Sequence, residues 1–190
     1  MYELIILTHL MRRPAHGYLI AKIINDIIGP YARVSNGRLY PLLAKLEQSG
    51  LITSCMALPG ERHLRAYCIT AAGKQRFHEL MLNTMSNPGE YQKIFAQKVC
   101  YLDLLTLPER LRIIDHYINY CQAHILHQLA EAEDIIQKVP FDDAAWGDFQ
   151  HDAVLDVIQH AADQWQLELA WAQKLRIKAL AMDVPDRPTT

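Results

Sequence analysis

The 190-residue sequence lacks the motifs with which many enzymes bind phosphates, activate a nucleophile or hold a catalytic metal. It contains no glycine-rich phosphate loop, no Gly-x-Ser-x-Gly element and no His-Glu-x-x-His among its nine histidines. The Cys121–His124 pair lies on a predicted regular helix, and no third residue is placed to orient it. We therefore predict that the chain is not an enzyme and that it carries no cofactor.

Cysteine is scarce, and its four positions form no Cys-x-x-Cys pair and no regular spacing: Cys55, Cys68, Cys100 and Cys121. This pattern predicts reduced thiols, and neither a disulfide framework nor a zinc site. His116 and His124 are two helical turns apart, about 12 Å along the axis, which is too far to share one ion. We predict no metal site, and instead a polar helix face or an interface.

Long apolar runs are also absent, since no segment approaches the roughly 20 residues that a membrane-spanning helix requires. The short apolar run Leu4–Leu10 follows Glu3 and precedes Arg12 and Arg13. A signal peptide has the opposite order of charges and a small-residue cleavage site. The sequence therefore predicts a soluble, cytoplasmic protein with no membrane partner.

The charge that is present is distributed unevenly. Residues 1–86 contain ten basic and five acidic residues, whereas residues 87–190 contain nine basic and sixteen acidic ones, so the net charges are +5 and −7. A basic head on an acidic body favours a polyanion as the partner of the head, although chance asymmetry remains open. With the polar stretch Asn83–Gly89 as a boundary, we predict domains at 1–86 and 87–182 and a tail at 183–190.

The first 86 residues predict a winged helix-turn-helix. Helices are expected at 2–11, at 17–28, from Ser35 to Ser49, and from Thr70 to about Met85. Between the third and fourth helices, β-forming segments at 51–58 and 63–69 flank the turn Pro59-Gly60-Glu61. The fold class predicted for the whole chain is mainly α with a small β-hairpin wing.

The helix that begins at Ser35 has the amphipathic pattern of a recognition helix, with Leu39, Leu42, Leu43 and Leu46 on its apolar side. Its polar side, the preceding helix and the wing supply the predicted contacts with double-stranded DNA: Tyr18, Lys22, Ser35, Asn36, Arg38, Tyr40, Lys45, Arg62, His63 and Arg65. The alternatives are a solvated helix face for Arg38 and Lys45, and a core position for Tyr40.

Two stretches resemble the PadR (phenolic acid decarboxylase regulator) family. They are Gly17-Tyr18-Leu-Ile-Ala21 and Gly37-Arg-Leu-Tyr-Pro-Leu-Leu-Ala-Lys-Leu-Glu-Gln-Ser-Gly-Leu-Ile52. The wing end is similar as well, in Arg65, Tyr67, Ile69-Thr70 and Gly73. Arg38 stands where the family usually has a small residue, and Leu64 where it often has a basic one. The resemblance is therefore least informative about which bases the protein prefers and which contacts its wing makes.

The second half predicts three helices, at 90–105, 108–138 and 148–182. The last carries a seam with 3-4 spacing, for which we predict a dimerisation role: Leu155, Ile158, Ala162, Trp165, Leu169 and Ala172. Packing inside the same chain is the alternative. Lys98, the Leu-Pro-Glu-Arg helix start at Leu107, and Trp171 resemble the virulence-activator type of helical domain, which implies dimerisation there, with residues 2–11 contributing.

These observations predict a homodimeric transcriptional repressor that binds an inverted-repeat operator. The alternative is a winged-helix adaptor that binds proteins and not DNA. The resemblance also implies release by a small aromatic or phenolic effector, in a pocket lined by the aromatic residues of the second half. Ordinary packing is the alternative for those side chains, which are Tyr101, Tyr117, Tyr120, Trp146, Trp165 and Trp171.

Overall fold

The computed structural model describes residues 1–28, 34–55, 65–85, 89–138 and 148–181. The chain forms two compact units, Met1–Tyr101 and Leu102–Thr190. The first unit thus includes the helix at 91–99, which the predicted boundary at residue 86 assigns to the second half. The functional division at 86/87 stays a prediction, as does the tail at 183–190.

Five helices form most of the first unit: α1 (Tyr2–Arg12), α2 (Gly17–Ile28), α3 (Asn36–Gln48), α4 (Ala71–Leu82) and α5 (Tyr91–Val99). Their apolar positions meet in one core. The helix α1 contributes the buried run Leu4–Leu7, and α4 and α5 contribute Phe77 and Phe95, both fully buried. This burial explains why α1 is apolar on nearly every side, since it is covered from several directions.

A small antiparallel sheet accompanies these helices. Its strands are β1 (Ala15–His16), β2 (Ile52–Cys55) and β3 (Ala66–Ile69), in the spatial order β1-β3-β2. The hairpin of β2 and β3 was predicted, whereas β1 was not. Two residues that follow Pro14 are too few to show an alternating pattern, and they become a strand only because β3 offers a free edge.

Local chemistry ends α3 and starts α4. Gly50 adopts a positive φ of 70°, the left-handed geometry in which glycine closes a helix. Thr70 caps α4, because its hydroxyl accepts a hydrogen bond from the Gly73 amide at 3.0 Å. The order helix, helix, helix, hairpin, helix is therefore confirmed, and the fold class is mainly α with a small antiparallel sheet.

The described residues of the second unit, 102–138 and 148–181, form a short 3₁₀ helix (Leu102–Leu104) and two long helices, α6 (Leu107–Lys138) and α7 (Asp148–Ala181). The two long helices run antiparallel and are joined by polar contacts. Near one end the Arg176 Nε donates to Asp115 Oδ1 at 2.7 Å. Two residues further along α6, the buried Tyr117 hydroxyl donates to Glu168 Oε2 at 2.7 Å.

The seam predicted for dimerisation packs against α6 of the same chain. Ala162 and Ala172 are buried, and the Trp165 ring stacks on His124 with centroids 4.2 Å apart. Leu155, Ile158 and Leu169 are partly buried on the same side of α7. The apolar spacing of the seam is present as predicted. In the described structure, α6 of the same chain covers the seam. A dimerisation role for these residues stays a prediction.

One prediction about the cysteines was wrong. Cys55 and Cys68 form a disulfide that joins β2 to β3, with Cα atoms 5.9 Å apart, whereas the exposed Cys100 and the buried Cys121 are free thiols. The prediction failed because the hairpin, and not the spacing along the chain, brings the two sulfurs together.

Among the described residues, no helix is long and apolar enough to cross a membrane.

Candidate nucleic-acid interface

The helix α3 presents a polar face because its leucines are buried. Leu39, Leu43 and Leu46 are at most 4% exposed. The helical period then directs Arg38 and Lys45 outward, and both are exposed. Ser35, at the N-cap position, is exposed too and makes no side-chain capping bond. The predicted division of this helix into an apolar and a polar side is thus present in the structure.

Two aromatic contacts position the start of this face. The Arg38 guanidinium carbon lies 5.8 Å from the centre of the Tyr2 ring on α1. The Tyr40 ring covers Gly17 at the start of α2, where an added Cβ would lie 3.1 Å from Tyr40 Cε1. Tyr40 nevertheless remains 49% exposed, so it is not the core residue that the alternative interpretation expected.

The neighbouring helix α2 contributes a second exposed group. Tyr18 is 74% exposed and Lys22 is exposed as well. The His16 imidazole accepts a hydrogen bond from the Leu19 amide at 3.1 Å, so a side chain satisfies one of the N-terminal amides of α2. That amide is therefore not free to bind a DNA phosphate in this structure.

At the base of the wing, Arg65 is held by α3. Its Nη2 donates to both carboxylate oxygens of Glu47, at 2.8 and 2.6 Å, and its Nε donates to Ser54 Oγ at 2.7 Å. The Ser54 hydroxyl in turn donates to Glu47 Oε1 at 2.7 Å. Arg65 thus has a structural role, and it remains 59% exposed on its side chain.

Electrostatics agree with this network. The hydrogen bond from Ser54, followed by the hydrogen bond from Arg65, lowers the pKa of Glu47. The same contact with Glu47 raises the pKa of Arg65. Both groups therefore stay charged over the physiological range, and the connection between α3 and the wing persists there.

Three of the predicted DNA-contacting side chains are not described. Arg62 and His63 lie outside the described residues, and of Asn36 only the backbone belongs to the described part. The structure brings the remaining seven to the exposed surface of α2, α3 and the start of β3: Tyr18, Lys22, Ser35, Arg38, Tyr40, Lys45 and Arg65. Their contacts with DNA stay predictions.

Sequence reasoning missed Glu47, Ser54 and the Cys55–Cys68 pair. The predicted turn at 59–61 gave no signal for the cysteines, because a turn centred on residue 60 places residue 55 opposite residue 65, whereas the observed register pairs residue 55 with residue 66. Cys68 then follows two positions later, on the same face. For Glu47 the sequence offered only a weak indication of a structural role. It lies within the family-like stretch, but it directly follows the buried Leu46 and has no pattern of its own.

The first unit also has a partly open pocket of about 250 Å³ between α1, α4 and α5. The buried Lys98 lines it, and its ammonium donates to the Asn83 carbonyl oxygen. Burial lowers the pKa of Lys98 to about 8. Glu3 and Glu90 line the same pocket, so its charge is mixed.

Comparison with known proteins identifies relatives of this chain. It is 23% identical, over 140 residues, to the negative transcriptional regulator PadR of Bacillus subtilis (strain 168), covering 73% of this chain and 77% of the relative. Among solved structures, Bacillus subtilis PadR in complex with operator DNA has 18% identity and a TM-score of 0.40, covering 93% of this chain and 96% of that one. The Vibrio cholerae virulence activator AphA has 23% identity and a TM-score of 0.37, covering 96% and 99%.

A family model matches part of the first unit. Residues 6–79, from α1 to α4, match the transcriptional regulator PadR-like family. This range contains both family-like stretches, the recognition-helix pattern and the wing end. The members of this family are transcriptional regulators, which agrees with the prediction that the chain is not an enzyme. Residues 6–79 of this chain are therefore similar to the transcriptional regulator PadR-like family.

Proposed function

We propose that this chain is a sequence-specific repressor that binds double-stranded DNA as a homodimer. The observation that carries the proposal is the outer face of α3. Buried leucines fix the helix, while Arg38 and Lys45 are exposed on it. Such a helix enters the major groove with its N-terminal residues first, where an arginine pairs with guanine edges or binds phosphate.

The repressor role is supported by the name of the Bacillus subtilis relative, a negative transcriptional regulator. A repressor of this class occludes the promoter by occupying its operator. The proposal for this chain therefore requires an operator that overlaps a promoter, and a reporter assay distinguishes it from activation.

The dimer is proposed because two recognition helices on a two-fold axis read an inverted repeat, with half-sites about 34–36 Å apart. Since the Trp165 seam packs on α6, we propose that the two copies meet through apolar side chains that the chain leaves exposed. On the long helices these are Leu126, Leu129, Ile136, Val157, Leu167, Ile177 and Leu180. The family-like resemblance supports a contribution from α1.

We also propose a small aromatic effector, on the strength of the resemblance to regulators of phenolic acid metabolism. The ring cluster of Tyr120, His124 and Trp165 lies within the second unit, and its members are only partly buried. A flat ligand that intercalates into this cluster would separate α6 from α7 and change the spacing of the two DNA-binding heads.

The test is a fluorescence-anisotropy titration of the full chain on labelled DNA from upstream of its own gene, with random competitor at several salt concentrations. Competitor-resistant binding that weakens steeply with salt supports the proposal, and the slope counts phosphate contacts. If random competitor DNA removes the bound protein, the operator has to be selected from a random duplex pool. Absence of binding at low salt refutes the proposal and favours the protein adaptor. Phenolic acids added to the preformed complex then test the effector.

A further inference from the structure

The disulfide lies at the base of the wing, on one face of the hairpin. The register pairs Cys55 with Ala66 and Thr53 with Cys68, so the two cysteines are diagonal neighbours across β2 and β3. Cys55 is the last residue of β2, and it directly precedes the chain that connects the strands. The bond therefore closes a covalent ring around the whole connection.

That ring contains Arg62 and His63, the residues predicted to contact DNA from the wing. A disulfide across a loop of this length removes conformational freedom from the enclosed chain. Ordering a loop on binding costs conformational free energy. This cost is smaller for a loop that is already constrained before DNA binds. The covalent state of Cys55 and Cys68 should consequently affect the affinity of the wing for DNA.

The opposite face of the hairpin is held differently. There, Ser54 and Arg65 bind Glu47 at the end of α3, through bonds of 2.6–2.8 Å. These contacts do not depend on the sulfurs, so the hairpin and its connection to α3 remain when the disulfide is reduced. Cys55 and Cys68 are both half-buried, which leaves their sulfurs within reach of small oxidants and reductants.

We propose that Cys55 and Cys68 are a reversible oxidation site that tunes DNA binding, with a peroxide as the oxidant; this inference rests on the proposed DNA-binding function. One thiolate attacks the O–O bond of hydrogen peroxide and breaks it; the departing hydroxide takes a proton from solvent, so the products are a sulfenic acid and water. The second thiol displaces the sulfenic oxygen as another water, and the S–S bond forms. The two sulfurs lose two electrons in total and peroxide gains them. A dithiol reverses the reaction by exchange.

The bridged form is the one with higher affinity. In this form the bond joins β2 to β3 covalently before DNA arrives, whereas in the reduced form only non-covalent contacts join these strands. We expect reduction to weaken operator binding about fivefold, as for the loss of a single preorganising constraint. The salt dependence should change little, because no charge is added or removed.

The test compares the full chain after treatment with hydrogen peroxide and after treatment with dithiothreitol. Peptide mass mapping identifies the Cys55–Cys68 crosslink in the oxidised sample and two thiols in the reduced one. Anisotropy titrations on the selected operator then give both affinities. The variants Cys55→Ser and Cys68→Ser should bind like the reduced protein under both conditions. Cys100→Ser is the matched control, since Cys100 is exposed but unpaired, and it should respond like the wild type.

The outcomes separate this proposal from the proposed function. Equal affinities of the mapped oxidised and reduced forms overturn the oxidation site and leave the regulator intact. Absence of the Cys55–Cys68 crosslink after peroxide treatment overturns it too. If neither form binds any selected duplex, the DNA-binding function itself is refuted. If the affinity change between oxidised and reduced protein persists in Cys55→Ser but disappears in Cys100→Ser, the redox effect belongs to Cys100 and the proposal is rejected.

Discussion

Arg65 and Glu47 are 18 residues apart in the sequence, and their charged groups meet at 2.6 Å where the wing joins α3. The guanidinium contacts both carboxylate oxygens and also Ser54, so three elements are fixed relative to each other. A residue predicted only as a DNA contact therefore also orients the wing with respect to the recognition helix. Because the pair is exposed, its value lies in orientation rather than in stability.

Replacing Glu47 with Gln should release Arg65. The amide cannot accept two charge-assisted hydrogen bonds, so the Arg65 Nε–H, which donates to Ser54, should exchange faster with solvent. Side-chain NMR of the guanidinium measures this. Acidification should have the same effect on the wild type, but only below the usual carboxyl range, because the pKa of Glu47 is lowered. Unchanged exchange in Glu47→Gln would contradict the network.

Replacing Arg38 with Ala should weaken specific DNA binding by roughly 1–3 kcal/mol and relax the preference at one base pair. Lys45→Ala is the comparison, because Lys45 is exposed on the same helix but farther from its N-terminus. It should weaken binding to all sequences and lower the salt slope by about one. Titrations on the selected operator and on single-base variants measure both effects. Intact specificity in Arg38→Ala would remove this residue from the interface.

Replacing Gly73 with Ala should destabilise the first unit by about 3 kcal/mol or more. An added Cβ would lie 2.0 Å from the Leu51 carbonyl oxygen, which belongs to the backbone and cannot rotate away. Gly37→Ala is the matched control, because the nearest atom to its added Cβ is Ser35 Oγ at 3.9 Å and the position is helical. Thermal unfolding should show a large decrease for the first variant and none for the second.

Lys98→Met should change the pH dependence of stability. The folded-state pKa of about 8 lies below the ordinary value of 10.5, so burial disfavours the charged ammonium. The resulting destabilisation is complete below pH 8 and disappears as the pH rises to 10.5, because the unfolded chain binds the proton more strongly there. The wild type should therefore gain up to about 3 kcal/mol relative to Lys98→Met over this range. Urea unfolding at several pH values measures it, and parallel curves would refute it.

Trp165→Ala should destabilise the second unit by up to about 3 kcal/mol, because the partly buried ring stacks on His124 and meets Tyr120 edge-on. The molar mass in sedimentation should stay that of the wild type if the seam is satisfied inside the chain. Leu167→Lys serves as the contrast, since Leu167 is 72% exposed and belongs to the proposed dimer surface. Its molar mass should fall to that of the monomer. A shift to monomer in Trp165→Ala without loss of helix stability would support the predicted dimerisation role of the seam.

The pattern of apolar residues was sufficient to predict most elements. Leu39, Leu43 and Leu46 recur at helical spacing, and this alone indicated both α3 and its outward face. Thr70 and Gly50 stand at helix boundaries, where their intrinsic capping preferences act. These features are local, since each depends on residues within one or two turns, and the sequence therefore contains all the information they require.

Other features depend on which surfaces meet. The spacing of Ala162, Trp165 and Ala172 determined that α7 has an apolar seam, but only the tertiary structure decided that α6 covers it. The sequence likewise determined that Cys55 and Cys68 flank a turn, while the strand register decided that their sulfurs bond. Periodicity states which face of an element avoids water. It carries no information about the partner, because any apolar surface of suitable shape satisfies the same hydrophobic requirement.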